Sequence, residues 1–254
     1  MYNGFAELYD ELMQDVNYGT WADFYVRLME LCGIRKGKIC ECACGTGALT
    51  IPLYRRGFQM TGVDLSQEML WVASQKARKS GAAIPFICQD MRSLHLHKPV
   101  DAVLATCDGV NYLLRDEDVL RFFRSAYASL RPGGALLFDI STPYKLQHLL
   151  GDRLIWEDGD HITFLWENHF HSRTGLVDMN LRFFVRQEDG RYTRVDEEQK
   201  QRAHEMEQIM RLLRDAGFEQ IRVFANGSLN PPSEKEERWH FTAMRREEAG
   251  GKTE

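Results

Sequence analysis

No stretch of the 254-residue sequence reaches 18 uninterrupted apolar residues, so it holds no candidate membrane-spanning helix. The opening residues 1–7 have neither a basic segment nor an apolar one. That argues against a secretory signal, and a cytoplasmic location is the expectation. A basic excess is also missing. The formal net charge is −5, which disfavours nucleic acid as a partner without excluding RNA. The six cysteines show no disulfide framework and read as buried thiols. Cys40, Cys42 and Cys44 alternate as small hydrophobes on one strand face would. They have no second cysteine pair or histidines downstream, so no metal is expected. There is no internal repeat and no low-complexity tract.

What is present is the making of a core: 44% hydrophobic and 27% charged residues. The length suits one α/β domain with an insertion. Residues 1–36 read as helical, with a candidate capping box at Thr20 and Asp23. Apolar runs at 39–43, 58–63, 84–88, 100–105 and 135–140 alternate with helical patterns at 48–56, after Ser66, and from Asp116 to about 130. Ser66 and Asp116 are candidate caps, and Pro132-Gly133-Gly134 is a turn signal. Strands alternating with helices of this length predict βαβ units, a mostly parallel sheet and a doubly wound α/β fold. After Pro143 the period changes to two. Asp158-Gly159 and Asp189-Gly190 signal hairpins. The reading is an α/β domain over 37–151, an antiparallel insert of three or four strands over 152–203, a return to the domain over 204–245, and a disordered tail at 246–254.

The chemistry sits where strands end. Glu41-Cys42-Ala43-Cys44-Gly45-Thr46-Gly47 follows a strand and opens a helix. The two glycines let a ligand approach the backbone, and the helix N-terminus behind them offers free N–H groups. A pyrophosphate-binding turn would need G-x-G-x-x-G, but Thr50 stands at the third position. Glu41 would repel phosphate and can pair with an ammonium, which favours an amino-acid moiety. The plain alternative is an ordinary strand-to-helix turn. Asp64 ends the next strand and can accept from both ribose hydroxyls, or else cap a helix. Asp90, in Gln89-Asp90-Met91, can accept from an adenine amine, or else is a loop residue. All three lie in order at the edge where open α/β sheets bind ligands.

Taken together, 39–47, Gly62-Val63-Asp64-Leu65-Ser66 with Met69, Gln89-Asp90-Met91 and Pro132-Gly133-Gly134 resemble the motifs of class I S-adenosylmethionine (SAM)-dependent methyltransferases. Leu212-Leu213 and Ala216-Gly217-Phe218 resemble the last helix and turn of that family. The resemblance implies a seven-stranded Rossmann-like sheet and SAM as cofactor, with S-adenosylhomocysteine as product. It places Glu41 near the methionine amino group, Gly45 and Gly47 under the cofactor, Asp64 at the ribose and Asp90 at the adenine amine. Ala43, Leu65, Met69, Gln89, Met91 and Thr106 join them at the cofactor. Alanine at 43 departs from the usual glycine. Leu8-Tyr9-Asp10, Tyr18 and the stretch 106–113 resemble a bacterial branch of small-molecule N-methyltransferases acting on amino sugars and glycine. There the N-terminal tyrosines, here Tyr9 and Tyr18, form a lid, and the insert helps to build the acceptor pocket.

The expected reaction is displacement at a sulfonium methyl, with most of the rate coming from alignment. Asp108, Asn111 and Tyr112 are the candidate catalytic residues. A turn aspartate, a turn asparagine and a packed aromatic are the alternatives. A small amine is the expected acceptor, and an RNA or protein acceptor or a non-catalytic SAM-binding role is the runner-up. No Asn-Pro-Pro-Tyr-like motif follows the fourth strand, which counts against base- or glutamine-modifying enzymes. His169 and His171 read as surface or pocket-lining residues, and Asp196-Glu197-Glu198 as solvated charge. No membrane partner is expected, and a homo-oligomer is left open.

Overall fold

The computed structural model describes residues 5–13 and 16–247, so the expected tail beyond Glu247 lies outside the described residues. Helices α1 (Phe5–Leu12) and α2 (Tyr18–Leu31) lead in. The cap of α2 is Asn17, whose side chain accepts from the Thr20 amide at 3.0 Å. The expected box at Thr20 and Asp23 therefore does not form. Both residues lie inside the helix, where Asp23 meets Arg56 at 2.6 Å.

The alternating part follows: β1 (Lys38–Cys42), α3 (Thr50–Arg55), β2 (Gln59–Asp64), α4 (Gln67–Lys79), β3 (Phe86–Cys88), β4 (Val100–Ala105), α5 (Asp116–Ser129) and β5 (Leu130–Ser141). Four strands follow: β6 (Leu154–Asp158), β7 (Ile162–His171), β8 (Leu176–Arg186) and β9 (Tyr192–Arg202). Then come α6 (Met206–Asp215), β10 (Phe218–Phe224) and β11 (Arg238–Arg245). The main sheet has seven strands in the order β10-β11-β5-β4-β1-β2-β3. β3, β2, β1, β4 and β5 run parallel, and β11 enters antiparallel to β5. The order reverses between β1 and β4, and that is where such sheets form a ligand crevice.

Both faces of the sheet are covered, so its central strands are mostly apolar. Cys40, Cys42, Val103, Phe138 and Phe241 pack with Phe122 and Phe123 on one side. Ile39, Leu104 and Leu137 pack with Tyr25, Leu28 and Met29 on the other. The Phe138 and Phe241 rings stack at 4.8 Å. All six cysteines are free. Cys88 is exposed, against the expectation that all are buried.

Two local expectations give way. Ser66 caps α4 through the Met69 amide, as predicted, but Asp116 does not cap α5. It is the first helical residue, and its carboxylate instead meets Arg202 at 2.8 Å and Gln208 at 2.5 Å. Pro132-Gly133-Gly134 is not a turn ahead of β5 but lies within it. There a register shift against β4 takes up the extra residues, with Gly133 at φ +70°.

Strands β6 to β9 form a separate antiparallel sheet. Its inner face carries Ile162, Phe183 and Val185, which pack with Leu8 of α1, and Val177 and Met179, which pack with Leu146. His169 and His171 lie on the opposite face, each beside a carboxylate: Asp152 at 2.9 Å and Asp178 at 2.6 Å. Among the described residues no group of three or more side chains could hold a metal ion. No described helix is long and apolar enough to cross a membrane.

Candidate active site

A cavity of about 720 Å³ opens at the C-terminal ends of β1, β2, β3 and β4. Its floor is the turn after β1. Ala43, Gly45 and Gly47 all have positive φ there, at 51°, 52° and 70°. Glycine adopts this conformation freely, whereas alanine does so at a cost of roughly 1–2 kcal/mol. The Ala43 methyl lies 3.0 Å from where a Cβ on Gly109 would sit, so the turns after β1 and β4 interlock through one missing side chain. Gly62 serves packing in the same way. A Cβ there would meet the Phe86 ring at 2.5 Å and Cys44 Sγ at 2.9 Å.

Glu41 is 2% exposed yet lines the cavity. Thr50 donates to Oε2 at 2.5 Å and Thr106 to Oε1 at 2.8 Å. Burial outweighs these two bonds and lifts the Glu41 pKa to about 7. Asp64 ends β2 and is tied on both oxygens. The Gly45 amide donates to Oδ2 at 2.8 Å and the Ser66 amide to Oδ1 at 2.9 Å. The sequence reading had Ser66 leaving Asp64 free; the structure makes Asp64 the brace of the glycine turn, still facing the cavity. Asp90 is more heavily engaged. Arg92 grips its carboxylate through Nε and Nη2, and that pairing holds its pKa below the ordinary carboxylate range.

Helix α1 closes one side. The Asp10 carboxylate accepts from Thr46 at 2.6 Å and from Lys76 at 2.6 Å. Tyr9 and Tyr18 both line the cavity, and their hydroxyls are hydrogen-bonded to each other. Burial raises both phenol pKa values well above 10, so both stay protonated.

Of the predicted cofactor-binding residues, Tyr9, Tyr18, Glu41, Ala43, Gly45, Asp64, Leu65, Met69, Gln89, Asp90, Met91 and Thr106 all line this one cavity. Gly47 does not. It backs onto Phe86 and Ala73, where a Cβ would lie at 3.2–3.3 Å. Of the catalytic candidates only Tyr112 reaches the cavity. It is 43% exposed, and its hydroxyl donates to Gln199 Oε1 at 2.7 Å. Asn111 is fully buried, with its amide spent on Ser141 and on the Arg202 carbonyl. Asp108 points away, to Arg238 and to Ser141 Oγ. These two hold the loop and do not face the cavity.

The remaining wall comes from β9, through Glu197, Glu198, Gln199 and Lys200. The sequence reading set Glu197 and Glu198 aside as solvated charge. Burial in fact raises the Glu197 pKa. The missed signal is alternation: Val195, Glu197, Gln199 and Gln201 share the register of the inner residues Phe183, Leu181, Met179 and Val177.

A family profile described as "Methyltransferase domain" matches residues 39–134, the segment that supplies most of this cavity. A protein of Geobacillus sp. (strain WCH70) named as a methyltransferase is 36% identical over 96% of this chain and 99% of its own length. The glycine/sarcosine N-methyltransferase of Halorhodospira halochloris is 28% identical over 54% of this chain and 52% of its own. The crystal structure of a SAM-dependent methyltransferase from Clostridium acetobutylicum ATCC 824 superposes with a TM-score of 0.87. It is 32% identical and covers 95% of this chain and 98% of that one. With the strand order, the turn after β1 and full-length likeness all in agreement, the chain belongs to the class I SAM-dependent methyltransferases.

Proposed function

We propose that this enzyme methylates a small-molecule amine, using the cavity at the strand ends for SAM and the β9 wall for the acceptor. The observation that carries this reading is the joining of the two parts in one enclosure. Carboxylates from β1, β2 and the β3 end line it, and β9, the edge strand of the second sheet, walls it. The residues fit the cofactor. Glu41 offers a buried carboxylate to an ammonium. Asp64 accepts only one amide on each oxygen, Asp90 lines the space while held by Arg92, and Leu65, Met69 and Met91 supply apolar walls. When bound, SAM supplies a methyl group activated on a sulfonium.

What the chain adds is positioning. Tyr112 is no base, because burial raises its pKa to about 12. Its hydroxyl is held by Gln199 and Gln201 of β9, which fixes it at the boundary between the cofactor end and the acceptor wall. The cavity lining holds seven carboxylates against three cations, Arg92, Arg115 and Lys200. Two of these cations are already paired with carboxylates: Arg92 with Asp90 and Asp118, and Lys200 with Asp178. That balance favours a neutral or cationic acceptor over a phosphate-bearing one, RNA included. The N-methyltransferase name of the Halorhodospira relative supports the same class.

Calorimetry tests the cofactor: SAM and S-adenosylhomocysteine bind and NAD does not. A turnover screen over small amines, alcohols and carboxylates, reading S-adenosylhomocysteine, then tests the acceptor. Turnover confined to alcohols or to RNA would overturn the amine.

A further inference from the structure

Four non-glycine residues among those described have positive φ, and three of them sit at the ends of the two central strands. These are Ala43 after β1 (51°), and Cys107 and Asp108 after β4 (54° and 66°). Two consecutive left-handed non-glycine residues cost roughly 1–2 kcal/mol each, and they persist only where the surroundings over-determine them. Cys107 and the following Gly109 line the cavity at the point where the strand order reverses.

The surroundings that hold this turn converge on one side chain. Asp139 of β5 is fully buried. Its Oδ2 accepts from the Cys107 amide at 2.9 Å, and its Oδ1 from the Asp108 amide at 3.1 Å. Successive backbone amides gathered on one anion make a nest, and here the anion is part of the protein. Tyr25, also buried, donates to the same carboxylate at 2.8 Å, and Arg238 bridges Asp139 to Asp108. Arg238 in turn lies over the Trp21 ring at 5.1 Å. No atom of this group other than the turn itself reaches the cavity lining.

We infer that Asp139 is a positioning residue for the methyl-transfer site. It locks the strained Cys107–Asp108 turn, and thereby sets the Thr106 hydroxyl on Glu41 and the cavity wall at Cys107 and Gly109. The inference rests on the SAM reading of the cavity. It differs from a plain stabilising role in one respect: the position of the turn, not only the melting temperature, depends on Asp139.

Three measurements test it, with S-adenosylhomocysteine as the probe. In the wild-type protein the Cys107 and Asp108 amides exchange hydrogen as slowly as core amides, although the turn borders the cavity. Exchange at the rate of an exposed loop overturns the inference without any variant. Asp139→Asn keeps one acceptor oxygen for the two amides, so it weakens S-adenosylhomocysteine binding by about five- to thirty-fold, the equilibrium equivalent of one left-handed residue relaxing, and speeds exchange at the turn. Adding Cys107→Gly to that variant relieves one of the two left-handed positions. Affinity then recovers while the melting temperature stays low. Affinity and melting temperature falling and staying low together would make Asp139 structural only. Failure of the wild-type protein to bind S-adenosylhomocysteine would sink the SAM reading instead, and the exchange result would still stand on its own.

Discussion

The Thr106 hydroxyl reaches across from just past β4 to hold Glu41 Oε1 at 2.8 Å, so the first residue beyond one central strand orients the buried carboxyl near the end of its neighbour. With Thr50 on the other oxygen, Glu41 has two donors, and neither is charged. Burial lifts its pKa to about 7 in spite of these two donors.

Cofactor affinity should therefore depend on pH through Glu41. An ammonium binds the ionised form, so affinity for SAM rises as pH climbs through about 7, and binding at lower pH releases a proton. The fold responds with the opposite sign. A carboxyl whose pKa is raised on folding contributes stability below its unfolded value near 4.5, and that stability is lost as pH rises toward 7. Glu41→Gln should weaken SAM binding by about 1.5–3 kcal/mol, the range for a hydrogen bond to a charged group, and flatten its pH profile. It should not lower the melting temperature at pH 8. Titration calorimetry from pH 6 to 8 decides this, and an unchanged profile removes Glu41 from the ammonium site.

Asp64 serves both the cofactor and the glycine turn. Asp64→Ala should weaken S-adenosylhomocysteine binding by about 1.5–3 kcal/mol. Because the Gly45 and Ser66 amides lose their acceptor, it should also lower stability by about 1 kcal/mol. Ser66 still caps α4, so the protein folds. A variant that keeps full affinity shows that Asp64 only braces the turn.

Ala43→Gly relieves a left-handed alanine. The relief of roughly 1–2 kcal/mol exceeds the extra chain entropy of glycine, about 0.5–1 kcal/mol, so the melting temperature should rise by about 1–4 °C. Differential scanning calorimetry reads it directly. A fall would mean that the Ala43 methyl against Gly109 contributes more than its backbone costs.

Tyr112→Phe removes one hydroxyl and the bond to Gln199. Methyl transfer to a small amine should slow by about ten- to a thousand-fold, the loss of one catalytic hydrogen bond, with S-adenosylhomocysteine affinity nearly unchanged. A rate close to wild type assigns Tyr112 to packing against β9.

His204 and His240 are both buried, and burial holds each pKa at about 4. A histidine depressed on folding leaves stability intact above its unfolded value of 6.5 and erodes it as pH falls from there toward 4, by roughly 3 kcal/mol for each ring. Because Glu41 shifts stability the other way over the same range, the comparison is between proteins: chemical denaturation at pH 7 and at pH 4.5 should show that His204→Leu removes one ring's share of the acid loss, roughly 3 kcal/mol. The same pH dependence in His204→Leu and wild type contradicts the burial argument.

The parallel sheet and the cofactor end of the cavity were legible because each depends on local signals: apolar runs, a glycine turn, an acid at a strand end. What was not legible depends on contacts distant in sequence. Glu197 looked like a surface charge until β9 was placed against β8, whose pairing fixes the inward face. Asp108 and Asn111 looked catalytic because they follow β4. Their partners, Arg238 and Arg202, lie about a hundred residues away, and only the folded chain shows both side chains already occupied. Asp139 gave no signal at all, being one acid in an otherwise apolar strand.

Helix α1 touches three regions of the molecule at once. It meets the glycine turn through Thr46, α4 through Lys76, and the second sheet through Leu8. Such an element acts as a keystone. Its removal would uncover the core of the second sheet around Leu8 and leave the glycine turn, α4 and that sheet with fewer ties to one another. A tag or a protease nick in these few residues would thus loosen the register between cofactor floor and acceptor wall before it unfolds the main sheet, whose own core does not include α1. Preparations judged only by their melting curve would hide the damage.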